Sequence, residues 1–248
     1  MSSIPAVKKA VAILRLISEG RGPTSSSAVA RRLNASQSTC YRILKTLEAE
    51  GLIKAHENGY RLASGLLPLV EPLNGLRSIV SLAQPVLDDL AQRTDMTAKL
   101  CVRENWDQMA IAVAQPLVPL GVLAPVGVSY SVVLAAAGAA LLANESDEEI
   151  ARRIRRVPPQ IWQRESPDNL WERIRQCRET GLIENIGINP RGIDAIACPV
   201  ETQFGPMALT LICPRGELSV EILPQRRLDL RAGQQALEKS IGTTKDIG

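Results

Sequence analysis

The stretch Ser36-Gln37-Ser38-Thr39-Cys40-Tyr41-Arg42-Ile43-Leu44-Lys45-Thr46-Leu47-Glu48-Ala49-Glu50-Gly51 presents two chemically different faces. Cys40, Ile43, Leu44 and Leu47 recur at helical spacing and form an apolar stripe. Gln37, Ser38, Tyr41, Arg42 and Lys45 fall on the opposite side, and each can donate a hydrogen bond. Ser36 is a natural N-cap and Gly51 a natural stop. Downstream, Leu52-Ile53-Lys54 and Tyr60-Arg61-Leu62 read as short strands. Asn58-Gly59 between them is a hairpin signal, and His56 falls near its tip.

Upstream, Pro5 to Ser18 places Val7, Ala10, Val11, Leu14 and Ile17 on one helical stripe, and Glu19-Gly20-Arg21-Gly22-Pro23 ends it. Thr24 to Ser27 offers caps for a second short helix with Ala28, Val29 and Leu33 inward, and Asn34-Ala35 is a tight turn. Helix, helix, turn, helix, hairpin is the order of a winged helix-turn-helix, whose third helix enters the major groove of double-stranded DNA. Gln pairs with adenine and Arg with guanine, while Ser, Thr and Lys hold phosphates. Ser36, Gln37, Ser38, Thr39, Tyr41, Arg42 and Lys45 are therefore the expected DNA-contacting residues, with Lys54 and Arg61 on the wing. The plainer reading of the same pattern is a small helical domain used for protein contacts.

Charge separates these readings. Residues 1–65 hold ten Lys/Arg against four Asp/Glu, a net +6, whereas the remaining residues hold nineteen against twenty-two, a net −3. A basic unit on a slightly acidic body points to a polyanionic partner. Aromatics are only 3% of the chain, which argues against single-stranded nucleic acid bound by base stacking. The most apolar run, 132–143, is too short for a membrane span, which needs about 20 residues. With no secretory signal evident, a soluble cytoplasmic protein without membrane contact is expected. Five cysteines with no CxxC spacing, and a single histidine, predict reduced, buried thiols and no metal site.

These residues resemble the IclR family of bacterial transcriptional regulators. The likeness is carried by Ser38 to Ile53, by Ala6 to Leu14, and by Tyr60-Arg61-Leu62 with Gly65-Leu66-Leu67, and it continues along nearly the whole chain. The resemblance implies a C-terminal GAF-like α/β domain that binds a small-molecule effector. It also implies a linker helix between the domains and a homodimer or homotetramer.

The division expected is a DNA-binding domain over 1–65, a linker over 66–80 interrupted by Pro68 and Pro72, and an effector-binding domain over 81–248. In the last, helices are predicted over 85–93, 132–143, 146–156, 168–180 and 223–241. Strands are predicted over 98–102, 109–114, 121–125, 182–188, 193–200 and 207–213. This alternation suggests an α+β fold with an antiparallel sheet. The basic run Arg152-Arg153-Ile154-Arg155-Arg156 follows Asp147-Glu148-Glu149 and reads as a solvated helix favoured by its macrodipole.

By resemblance, the effector pocket draws on the start of the Gly/Ala-rich helix, on the residues before Ile196-Ala197-Cys198-Pro199-Val200, and on the strand that follows. The positions carried over are Ala136 and Ala137, as backbone N–H donors, with Asn185, Ala195, Thr210 and Ile212. The family's polar residues are replaced here by Val133, Ala135, Ala139, Asn185 and Ile212. The expectation is a drier pocket and an effector larger or more apolar than a small 2-oxo acid. Plain core packing at these positions is the competing reading. Two other functions remain open, a ligand-free or thiol-responsive regulator and an enzyme carried on a DNA-binding module. For the enzyme, the C-terminal half offers no histidine, no GxSxG and no phosphate-binding loop. No cofactor is expected.

Overall fold

The structure is a computed structural model that describes residues 4–20, 22–118, 121–163, 165–188 and 192–242. Arg21 of the expected helix-breaking run lies outside the described residues, as does Asn189. The chain divides into two compact units, Met1–Leu76 and Arg77–Gly248.

The first unit opens with α1 (Pro5–Glu19), its proline in the first turn where a missing N–H costs nothing. The stripe it buries is Ile13, Leu16 and Ile17, whereas Val7 and Val11, expected inside, are exposed. Ser25 caps α2 (Ser26–Arg32) by accepting from the Ala28 N–H at 3.2 Å. Ser36 caps α3 (Gln37–Ala49) by accepting from the Thr39 N–H at 3.3 Å. Cys40, Leu44 and Leu47 of α3 close a core with Ile13, Ile17, Val29 and Ile53. Gly51 takes φ +70, the left-handed conformation that ends a helix.

Strands β1 (Ile53–His56) and β2 (Gly59–Leu62) pair antiparallel, with Lys54 directly opposite Arg61. The turn between them is Glu57-Asn58, one residue earlier than the expected Asn58-Gly59. The glycine serves elsewhere. Thr24 adds a one-residue bridge to Tyr60, with both N–H to O distances 3.0 Å. A Cβ on Gly59, at φ +139, would stand 2.4 Å from the Thr24 carbonyl oxygen.

Beyond the wing come α4 (Leu67–Val70) and α5 (Asn74–Thr94). The linker helix implied over 66–80 and the helix expected from Pro85 run together, and Pro85 sits inside α5. Proline removes one intrahelical bond and crowds the preceding turn. Burial of Ile79, Ala83, Leu87, Leu90 and Ala91 along one face of α5 offsets that loss.

The second unit is built on a six-stranded antiparallel sheet. In chain order it contains β3 (Thr97–Glu104), β4 (Asp107–Ala114), β5 (Ser129–Ser131), α6 (Ala135–Leu142), α7 (Asp147–Ile154), α8 (Pro167–Thr180), β6 (Ile183–Asn185), β7 (Ile193–Thr202), β8 (Gly205–Pro214) and α9 (Leu223–Ile241). The strand order is β5-β4-β3-β8-β7-β6, so the centre joins two hairpins far apart in sequence. One sheet face carries Cys101, Ala110, Ala195, Ala197, Ala208 and Ile212 beneath α6 and α8. On the other face α9 comes so close that a Cβ at Gly233 would meet Leu90 of α5 and Leu209 of β8.

Three expectations change here. Residues 121–125 form no strand, and the edge strand is β5 instead. The stretch 182–188 pairs only as the short β6. Finally, α6 starts at Ala135 and not at Val132. The Val132 N–H donates to the Trp106 carbonyl at 2.9 Å, Leu134 is extended, and Ala135 adopts φ +60. Segment 132–134 is thus tied to the β3–β4 turn before the helix can begin.

The basic run is also less solvated than expected. Arg153 is buried, donates to both oxygens of Glu145 at 2.8 and 3.1 Å and to the Asn105 carbonyl at 2.8 Å, and lies over the Trp106 ring. It clamps α7 to the sheet.

Candidate functional site: a DNA-reading face and an interior cavity

The polar face of α3 is built by its own periodicity. With Cys40, Leu44 and Leu47 buried, Gln37, Ser38, Tyr41, Arg42 and Lys45 are turned to solvent. Ser36 and Thr39 are not free in the same way. The Ser36 hydroxyl donates to the Thr39 hydroxyl at 2.7 Å, so this pair shapes the helix start. Lys45 is held by Glu48 at 2.7 Å and lies 5.9 Å from the Tyr41 ring centroid. On the wing, Lys54 and Arg61 are exposed cross-strand partners. Like charges directly opposite destabilise a hairpin taken alone, so this pairing suits a surface that meets a polyanion. All nine residues expected to touch DNA lie on α3, its cap or the wing.

The second unit holds a cavity of about 250 Å³. Ala136, Ala137, Asn185, Ala195, Thr210 and Ile212, six residues from four elements, all line it. Register explains the convergence. Asn185, Ala195, Ile212 and Thr97 form one row across β6, β7, β8 and β3. Ile183, Ala197, Thr210 and Lys99 form the next. The α6 N-terminus faces these rows with Ala135, Ala136 and Ala137, whose N–H groups belong to the first turn, where no intrahelical acceptor exists. Gln108 of β4 fixes that terminus by donating to the Leu134 carbonyl at 2.6 Å and the Ser131 carbonyl at 3.2 Å.

Two wall residues carry buried polar atoms with no hydrogen-bond partner, the Asn185 Oδ1 and the Thr210 Oγ1. Buried polar atoms are rarely left so. Both lie on the wall of one cavity. The wall also holds residues that sequence reasoning missed, namely Lys99, Gln108, Tyr130 and Glu165. Lys99 lies on a strand read only for its apolar neighbours, and Glu165 on the segment between α7 and α8. No periodic signal marks either. Lys99 and Glu165 are the basic and acidic side chains on a wall that is otherwise mostly apolar.

All five cysteines are free and buried. Burial pushes the Cys177 thiol up to about 11 and the Cys213 thiol up to about 12, and it raises Cys101 and Cys198 as well. Such thiols are poor nucleophiles near neutral pH. Among the described residues no cluster of His, Cys, Asp and Glu is placed to hold a metal ion, and no helix is long and apolar enough to cross a membrane.

A winged helix with a basic reading face, joined to an α+β unit with a ligand-sized cavity, defines a ligand-sensing DNA-binding regulator. Comparison with known proteins agrees. Residues 6–57 match the IclR helix-turn-helix domain, and residues 75–236 match the bacterial transcriptional regulator IclR C-terminal domain. The chain belongs to the IclR family of transcriptional regulators. It is 24% identical over 219 residues to the HTH-type transcriptional regulator TtgV of Pseudomonas putida, covering 87% of this chain and 84% of that one. The crystal structure of the Thermotoga maritima IclR superposes with a TM-score of 0.70 at 19% identity, covering 95% and 98% of the two chains. That of an IclR homolog complexed with 4-hydroxybenzoate from Microbacterium hydrocarbonoxydans superposes at 0.67 and 20% identity, covering 95% and 98%. The protein is a DNA-binding transcriptional regulator with a C-terminal effector-binding domain, and its family is one of regulators, not enzymes.

Proposed function

We propose that residues 1–65 read a DNA operator through the exposed face of α3, that 66–80 link the domains, and that 81–248 bind the effector in the cavity beneath α6. Gln37 and Arg42 contact base edges. Ser36, Ser38, Thr39, Tyr41, Lys45, Lys54 and Arg61 position the phosphate backbone. Ala136, Ala137, Asn185, Ala195, Thr210 and Ile212 contact the effector. The protein acts in the cytoplasm as a homodimer or homotetramer, and a dimer favours a palindromic operator with half-sites spaced by turns of the duplex. The effector shifts DNA affinity by binding one arrangement of the protein more tightly than another.

The observation that carries the effector assignment is the pair of orphaned buried atoms, Asn185 Oδ1 and Thr210 Oγ1, on one cavity wall. The cavity volume of about 250 Å³ lies just under the roughly 300 Å³ at which ligand pockets usually begin. Its mostly aliphatic wall suits a metabolite-sized effector that is more apolar than a small 2-oxo acid. The complex of an IclR homolog with 4-hydroxybenzoate supports binding of a small organic molecule by this chain.

The test is a salt-titrated binding assay on the DNA upstream of the protein's own gene against scrambled DNA of equal length. Preference for the upstream DNA at physiological salt, lost in Arg42→Ala, is the expected result. Weak, equal, steeply salt-dependent binding to both DNAs would leave only the electrostatic term and would refute the reading of α3 on that DNA. The chain lacking residues 1–65 is expected to remain oligomeric without DNA affinity, and duplex binding by that fragment would overturn the domain assignment.

A further inference from the structure

We infer that Lys99 makes the cavity selective for anions, so that the effector is an acid with an apolar body whose negative end lies between the Lys99 ammonium and the Thr210 hydroxyl. This rests on the proposed effector site and goes beyond it by assigning a charge, an orientation and a residue that determines both.

The basic and acidic side chains on the wall are Lys99 and Glu165. Glu165 is neutralised in place. Its Oε2 accepts from the Arg173 guanidinium at 2.5 Å and its Oε1 accepts from the Ser166 N–H at 3.0 Å, with both side chains of the ion pair buried. Lys99 is half-buried and has no ion pair or hydrogen bond from its ammonium among the described residues. One uncompensated positive charge therefore faces the cavity.

The remaining polar groups add to that sign. The first turn of α6 directs free N–H groups and the positive end of its dipole at the same space. Thr210 is the direct cross-strand partner of Lys99, so their side chains share one sheet face about 5 Å apart at Cβ. The Thr210 hydroxyl is buried and unpartnered. Arg173 keeps two buried nitrogens without partners behind Glu165. Against these donors, the one buried unpartnered atom on the described wall that can only accept is the Asn185 amide oxygen, and an amide can turn its NH₂ inward instead.

Much of the remaining lining is aliphatic. Val122, Ala124, Pro125, Leu134, Ile193 and Ile212 offer no polar side-chain atom, so the body of the ligand must be apolar. A cation would meet Lys99 and the helix N-terminus. A neutral ligand would leave the ammonium without a partner in a partly desolvated site.

The experiment measures binding to the full-length chain by calorimetry with matched probes. The acids are hexanoate, benzoate and phenylacetate. Each is compared with its primary amide and with hexylamine or benzylamine. At least one acid is expected to bind wild type tenfold or more tightly than its amide. Lys99→Met should lower that acid's affinity about 10- to 100-fold, the range for a hydrogen bond to a charged group, while Lys99→Arg keeps most of it. Lys99→Glu should reverse the order and favour the amine.

Amides or amines binding wild type as tightly as the acids would overturn the inference, and that result needs no variant to fold. Loss of the acid preference in neither Lys99→Met nor Thr210→Val would place the ligand elsewhere and overturn the effector-site reading too. Equal loss for acid and amide in Thr210→Val, with no acid preference in wild type, would leave the effector site standing while removing the charge selection. Binding of no probe at millimolar concentration would overturn both.

Discussion

Replacing Gly138 by alanine puts the packing of the cavity-forming helix to a quantitative test. In a helix interior this change ordinarily stabilises by up to about 1 kcal/mol, because glycine loses more backbone entropy on folding. Here the added methyl would stand 1.9 Å from the Val132 carbonyl oxygen, 1.5 Å inside the 3.4 Å at which ordinary contact begins, and 2.9 Å from the Gln108 Nε2. The obstructing atom is backbone, fixed by the Val132 N–H bond to Trp106, so no side chain can rotate away. Relief requires α6 to move off the 132–134 segment, which breaks the 2.6 Å bond from Gln108 to the Leu134 carbonyl. Overpacking of this kind costs about 1–3 kcal/mol and outweighs the propensity gain. A net loss of about 1–2 kcal/mol lowers the Tm of a domain this size by about 2–8 °C. Scanning calorimetry of the full chain reads this shift directly. Gly22→Ala is the control, since a Cβ there meets nothing within 4 Å and its φ is not left-handed. An unchanged or raised Tm for Gly138→Ala would refute the account of how the cavity wall is held.

Further predictions concern the reading face and the thiols. Arg42→Ala should weaken binding to the specific operator by about 1–3 kcal/mol in gel-shift titrations and leave the Tm of the protein unchanged; equal losses on operator and scrambled DNA would make Arg42 a phosphate contact. Lys54→Gln and Arg61→Gln should each reduce the slope of log affinity against log salt by about 1, with no change in sequence preference. The buried thiols should react far more slowly with a thiol reagent at pH 8 in the native chain than in urea. Because Cys177 and Cys213 titrate near 11 and 12 when folded and near 9 when unfolded, their contribution to stability is complete below pH 9 and is lost as pH rises through 11–12. Stability that does not fall over this alkaline range would contradict their burial.

Much of the reading face was legible because α3 obeys one local rule. Its apolar residues repeat at helical spacing, so the polar ones must face outward, and a serine cap marks its start. The same logic erred in α1. Its sequence supports more than one apolar stripe, and contact with α3 and the wing, not spacing, selected Ile13, Leu16 and Ile17 over Val7 and Val11. At Pro85 and at Val132 local rules misplaced helix boundaries because distant partners, a buried face in the first case and the Trp106 carbonyl in the second, outweighed propensity.

The sequence by itself determined the winged helix, the basic charge of its unit and the antiparallel α+β body through periodicity, capping and turn signals, and it named six cavity residues only through its resemblance to the IclR family. Only the tertiary structure decided that those six share a wall with Lys99 and Glu165. Strand register across β6, β7, β8 and β3 aligns residues more than a hundred positions apart. Whether a lysine beside them faces a carboxylate or an open cavity depends on contacts that chain order does not encode.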